Sequence, residues 1–96
     1  MTVKTLFLAL KGEYFDQIKA GEKVEEYRLA NDYWRKRLWG KTFGKIVLTR
    51  GYPPRSDTTR RIERPWRGYT IKHITHPHFG PKPVRVFAIR VDGEAP

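Results

Sequence analysis

One stretch, Gly21-Glu22-Lys23-Val24-Glu25-Glu26-Tyr27-Arg28, holds a lysine, a carboxylate and an arginine at a spacing that lets them work together. In an extended strand, alternate residues share a face, so Glu26 and Arg28 project to the same side. Lys23 lies in the turn before the strand and is free to swing toward them. A guanidinium offers a planar fork to a phosphate or a base edge, a carboxylate accepts hydrogen bonds from exocyclic amines, and an ammonium supplies a mobile charge. The set suits a nucleotide better than bare phosphate, which a carboxylate repels. The alternation alone favours a plainer arrangement, a Glu26–Arg28 ion pair with Lys23 solvated.

Three further segments interleave aromatic rings with cations, the pattern in which rings stack on bases while arginines hold phosphates. They are Tyr33-Trp34-Arg35-Lys36-Arg37, Arg50-Gly51-Tyr52-Pro53-Pro54-Arg55 and Arg64-Pro65-Trp66-Arg67-Gly68-Tyr69. The candidate contacts are Trp34, Arg35, Arg50, Tyr52, Arg55, Trp66 and Arg67. For Trp34 and Trp66 a place in the core, with arginine stems packed alongside, stands on equal terms. Arg50 and Tyr52 rank next after the 23–28 stretch, because a rigid loop at a strand end is a usual place for ligand contacts. Arg60, Arg61 and Arg64 add a diffuse field that steers association and makes it salt-sensitive. His73, His76 and His78 do not make a metal site by their spacing: only His76 and His78 share a loop, with Pro77 between them, and a pair that caps backbone groups or touches RNA is the better reading.

The elements that must position these groups follow from periodicity. Val3 to Leu10 reads as a buried first strand stopped at Lys11-Gly12. Glu13 to Ala20 reads as a helix with Tyr14, Phe15 and Ile18 on one stripe and Gly21 at its left-handed end. Val24 to Leu29 is a second strand. Asn31 caps a short helix through Trp39, with Tyr33, Trp34, Arg37 and Leu38 toward a core and Arg35 and Lys36 wet. Phe43 to Arg50 is a third strand, and the basic run from Arg55 to Arg64 is a loop or a solvent-facing edge. Tyr69 to Thr75 is a strand, His76 to Pro83 a connection, and Val84 to Val91 a last, central strand, apolar at almost every position. The order predicts a single α+β domain over residues 1–96: a small mixed sheet or barrel of five to six strands capped by two short helices.

The chain has 96 residues, 20 Lys and Arg against 10 Asp and Glu, and a formal net charge of +10. A surplus of that size is better tolerated when a polyanion relieves it, so nucleic acid is the first partner to consider. An acidic protein is the second, and a monomer is favoured. No stretch pairs a long apolar face with a Lys-rich polar one, and no apolar run approaches a membrane span, so no membrane partner is expected. The absence of cysteine excludes disulfides, thiolate metal sites and cysteine nucleophiles and fits a reducing cytoplasm. The first ten residues, Met1 to Leu10, lack the small-residue cleavage site of a signal peptide. No metal and no cofactor is expected.

A glycine ending a helix, then a lysine, then Glu26 and Arg28 on one strand face resembles the GxKxxExR signature of the ASCH domain, a branch of the PUA-like fold. The strand and helix ahead of the motif and the strands after it agree with that family's order, so the resemblance spans most of the chain. It is similar in particular to short ASCH proteins of bacteria and phages. The resemblance implies a PUA-like barrel, a ligand cleft lined by Lys23, Glu26 and Arg28, and an RNA- or modified-nucleoside-binding role. It also implies an alternative, since some bacterial ASCH proteins hydrolyse N4-acetylcytidine and others are described as cutting single-stranded RNA. The amidohydrolase pattern needs a threonine nucleophile near the motif lysine, and here that position is Glu26. As an enzyme this chain would be a hydrolase in which Lys23 and Glu26 are the catalytic candidates, Glu26 as general base on water.

Overall fold

The computed structural model describes residues 4–93. Met1 to Val3, the start of the expected first strand and of the segment weighed as a signal peptide, lie outside them. The elements run β1 (Thr5–Leu10), α1 (Gly12–Lys19), β2 (Glu25–Leu29), α2 (Asp32–Leu38), β3 (Lys45–Arg50), β4 (Arg61–Pro65), β5 (Tyr69–Ile74), a 3-10 turn (Pro77–Phe79) and β6 (Val84–Arg90). Among the described residues no helix is long and apolar enough to cross a membrane.

The six strands form two three-stranded sheets, β1-β3-β4 and β2-β6-β5. β1 and β3 are parallel, which requires a long crossover, and α1, β2 and α2 supply it. The remaining pairs are antiparallel. Leu6, Leu8 and Leu10 of β1 alternate inward and pack with Ile46 and Leu48 of β3, Phe15 and Ile18 of α1, Leu38 of α2, and Phe87, Ile89 and Val91 in and after β6. β6 is buried on both faces, Val86 through Ile89 having no exposed surface. Its central place is the one its unbroken apolar run predicts.

One expectation is narrowed and one changes. Of the loop and the solvent-facing edge expected for 55–64, an edge strand forms from Arg61, where β4 pairs along β3 with Ile62 packed against the core. Its proline sits at the strand end, where a missing donor is tolerated. In α2, the Asn31 side chain caps the helix by accepting from Trp34 N–H at 3.0 Å. A helix of seven residues presents only one narrow stripe, however, and Leu38 with Trp34 fills it. Tyr33 is exposed, and Arg37 lies over the Tyr33 ring at 4.2 Å rather than over the core.

Arginines link the two sheets where no backbone ladder does. Arg28 Nη2 on β2 donates to Ala9 O on β1 at 3.0 Å, and Arg64 Nε on β4 donates to Val91 O, just after β6, at 3.1 Å. The first of these bonds also occupies a carbonyl on an edge strand, a position otherwise open to pairing with another chain.

Candidate functional site

Two local features fix the 23–28 stretch. α1 ends with Gly21 at φ 80°, a conformation that only glycine adopts freely, and Gly21, Glu22 and Lys23 donate their N–H groups back to Ile18 O, Gln17 O and Gln17 O. Lys23 is thereby fastened to the helix end. One residue later, Val24 O accepts from Val91 N–H at 2.9 Å, which seats the start of β2 beside the end of β6.

The register then decides which way the charges point. Glu26 pairs with Ile89 and Arg28 with Phe87, both core residues, so the two charged side chains share the inward face of the sheet. Glu26 is the most buried residue of β2 and, with Thr49, one of two buried polar residues among those described. Val24 and Leu29 are the exposed ones. The hydrophobic alternation of β2 is thus inverted at the end of the core, where the space between the sheets opens.

There the three side chains meet. Arg28 Nη2 lies 2.9 Å from Glu26 Oε2, and Lys23 Nζ lies 3.7 Å from Glu26 Oε1. Lys23 is 13% exposed and its ammonium sits over the Tyr27 ring at 4.4 Å, so it is not merely solvated. Burial holds its amine below the usual lysine range, with Glu26 opposing that shift. Tyr14 and Tyr27 are displaced the other way, chiefly by burial, with Glu13 next for Tyr14 and Glu25 next for Tyr27. A carboxylate sunk among apolar residues is costly unless paired and hydrogen-bonded, and here each oxygen has one cation. Each oxygen also keeps room for another donor.

The triad lines a cavity of about 160 Å³, walled further by Lys11, Tyr14, His76 and Phe79. A cavity of about 150 Å³ accepts benzene, so this one has the size of a single six-membered ring. A base ring with its sugar and phosphate does not fit inside it.

The other sequence candidates divide. Trp34 stands beside the triad, with Arg28 over its ring at 5.2 Å. Tyr52 is 93% exposed and lines a separate, larger cleft of about 380 Å³ together with Trp34 and Arg28. Arg50 is turned onto Asp16 of α1 at 3.3 Å and lines neither space. Trp66 is half-buried against the core, its ring packed edge-on with Phe43 and Tyr69. Arg35 borders a shallow hollow with Lys36, Trp39 and Arg85. Arg55 and Arg67 are exposed and line none of these spaces. His76 Nδ1 accepts from His78 N–H at 3.1 Å and caps the 3-10 turn, while both rings meet Tyr14 edge-on. Sequence reasoning missed Tyr14, Lys11, Phe7 and Arg61 as wall residues. Tyr14 was visible only as part of a helical stripe and Arg61 only as part of a diffuse basic field, and nothing local marks Lys11 and Phe7.

No family model, curated protein or solved structure matches the chain.

Proposed function

We propose that the protein binds single-stranded RNA by enclosing one pyrimidine-sized base, plain or modified, in the pocket of Lys23, Glu26 and Arg28. The observation that carries this reading is Glu26: a buried carboxylate, paired on both sides, on the wall of a cavity one ring in size. An acidic side chain is the acceptor that suits the exocyclic amine of cytosine, and the same carboxylate disfavours uracil, which offers an oxygen there. Lys23 and Arg28 leave the triad with one net positive charge, suited to an adjoining phosphate. The ASCH resemblance and a barrel-like closing of the two sheets, PUA-like in kind, are part of this proposal and agree with it in motif position and element order.

Titration with cytidine and uridine monophosphates tests it. Wild type prefers cytidine by about tenfold, in line with the roughly 1–3 kcal/mol of a good base-edge contact, and Glu26→Gln removes the preference. Equal binding of both by wild type, or none of either, ends the reading.

A second reading rests on one observation, the lowered amine of Lys23 beside Glu26. A lysine whose amine is held below its usual range gives up its proton more readily, and with Glu26 it supports hydrolysis of RNA or of an acylated nucleoside such as N4-acetylcytidine. Incubation with each substrate separates the two readings. Turnover lost in both Lys23→Ala and Glu26→Ala establishes the hydrolase, whereas salt-sensitive retention of intact RNA that falls in Arg28→Ala supports binding alone.

A further inference from the structure

If the pocket takes only a ring, the rest of an RNA strand needs a path out of it. Arg28 marks that path. Its guanidinium lines both the pocket and the larger cleft, so the two spaces are separated by one side chain and by Ala9, which also borders both. Beyond Arg28 the cleft floor is β1, its walls are Tyr33 and Trp34 of α2 on one side and Tyr52-Pro53 after β3 on the other, and Arg61 closes it.

The chemistry of this cleft differs from that of an ordinary surface dent. Phe7, Tyr33 and Tyr52 are large rings left 67%, 55% and 93% exposed, although a folded chain gains by covering such surface. No carboxylate lines it. Its two arginines are each held by a terminal nitrogen, Arg28 to Ala9 O and Glu26, and Arg61 to Pro53 O at 2.9 Å. Of the five donors on each guanidinium these bonds use two and one. Arg28 Nε and Arg61 Nε are moreover the two buried side-chain atoms among the described residues that lack a hydrogen-bond partner. A neighbouring hollow that shares Phe7, Tyr33 and Trp34 with the cleft is lined further by Lys36, Arg37 and Lys41.

We propose that this cleft is a second nucleotide subsite, taking the residue next to the pocketed one in the same single strand. The neighbouring base lies against Tyr52, with Phe7 and Trp34 as the facing rings. Arg28 and Arg61 hold the phosphate that joins the two nucleotides. This rests on the RNA-binding reading of the pocket and adds to it a footprint of at least two nucleotides, readout at one position and sequence-tolerant stacking at the next.

The test compares cytidine monophosphate with a trinucleotide of central cytidine in wild type, Tyr52→Ala and Arg61→Gln. In wild type the trinucleotide binds at least tenfold more tightly than the mononucleotide. Tyr52→Ala cuts trinucleotide binding by about ten- to thirtyfold and leaves the mononucleotide unchanged, the loss expected for one stacked base. Arg61→Gln lowers the slope of log affinity against log salt by about 0.7, the share of one single-strand phosphate. Equal affinity for both ligands, with neither variant altered, overturns the subsite while the pocket reading stands. No binding of either ligand overturns both. Poly-glutamate bound as tightly as the trinucleotide and lost with Tyr52 overturns the subsite in favour of an acidic protein partner. Since the Tyr52 side chain is almost wholly in solvent, its removal leaves the fold intact, and an unchanged melting temperature verifies this.

Discussion

Two adjoining spaces share the guanidinium of Arg28 and differ in how their charge is balanced. In the smaller, Lys23 and Arg28 answer to a buried carboxylate inside the protein, so most of the electrostatics is settled before a ligand arrives. In the larger, Arg28 brings the charge that Glu26 already answers, while Arg61 is bonded to a carbonyl and no carboxylate lines the space, so a ligand must balance Arg61. The first kind of site discriminates, because the wrong group leaves a buried charge unanswered. The second attracts, in proportion to salt and with little regard to sequence. The same difference governs folding. The pocket residues are fastened into the core, whereas Tyr52 is an addition to its surface.

The sharpest break between the two is therefore stability. Glu26→Ala strands two partly buried cations and lowers unfolding stability by about 2–3 kcal/mol, somewhat below the roughly 3–5 kcal/mol of a fully buried pair because both cations also touch the cavity. Tyr52→Ala changes it by less than about 0.5 kcal/mol. Urea denaturation of the two variants measures the contrast, and similar losses in both erase it.

Arg28 belongs to both spaces, so Arg28→Lys, which keeps the charge but not the fork, weakens mononucleotide and trinucleotide alike. The loss is about 1.5–3 kcal/mol, the worth of a hydrogen bond to a charged group. Calorimetric titration with both ligands reads it; a loss for the trinucleotide alone would place Arg28 in the cleft only.

Much of this layout was legible in the sequence. Gly21 announced the helix end, and the 3- and 4-residue spacing of Phe15 and Tyr14 from Ile18 gave the stripe of α1 whose Phe15 and Ile18 meet the core. The apolar run of β6 placed it at the centre of its sheet. Alternation plus the turn put Glu26 and Arg28 on one face with Lys23 within reach of it, but alternation alone favoured a Glu26–Arg28 pair with Lys23 solvated, and the shared cleft was an implication of the resemblance. What alternation left open was the face. Tyr27 and Leu29 look like the inward residues of β2, yet pairing with Ile89 and Phe87 turns Glu26 and Arg28 inward. That choice is made by long-range register, which no local pattern encodes. Arg61 and Phe7 reach the cleft for the same reason, through pairing with Thr49 and Val47 on β3. Trp66 shows the converse: its arginine neighbours suggested a stacking platform, and tertiary packing with Phe43 and Tyr69 claims the ring.

A smaller effect concerns pH. The Lys23 amine sits below its ordinary value, so the charge that an RNA phosphate meets is lost at a pH below the usual lysine range. The charged groups acting on it are Glu26, Glu25 and Arg28, and the Tyr14 and Tyr27 rings lie beside it, both tyrosines displaced upward. Mononucleotide affinity falls by about two- to fivefold as pH rises through that lowered value, and Lys23→Met flattens the profile. For folding the sign is opposite. A lysine with a lowered native pKa destabilises the native state while protonated, and that cost is relieved as pH rises toward its unfolded value.

The most direct test of the central claim is amide chemical-shift mapping with a short single-stranded RNA containing one cytidine. The account predicts the largest changes at Lys23, Glu26 and Arg28, then at Phe7 and Tyr52, with little at Arg35, Arg55 and Arg67. Changes centred on Arg35, Trp39 and Arg85, with residues 23–28 unmoved, contradict it.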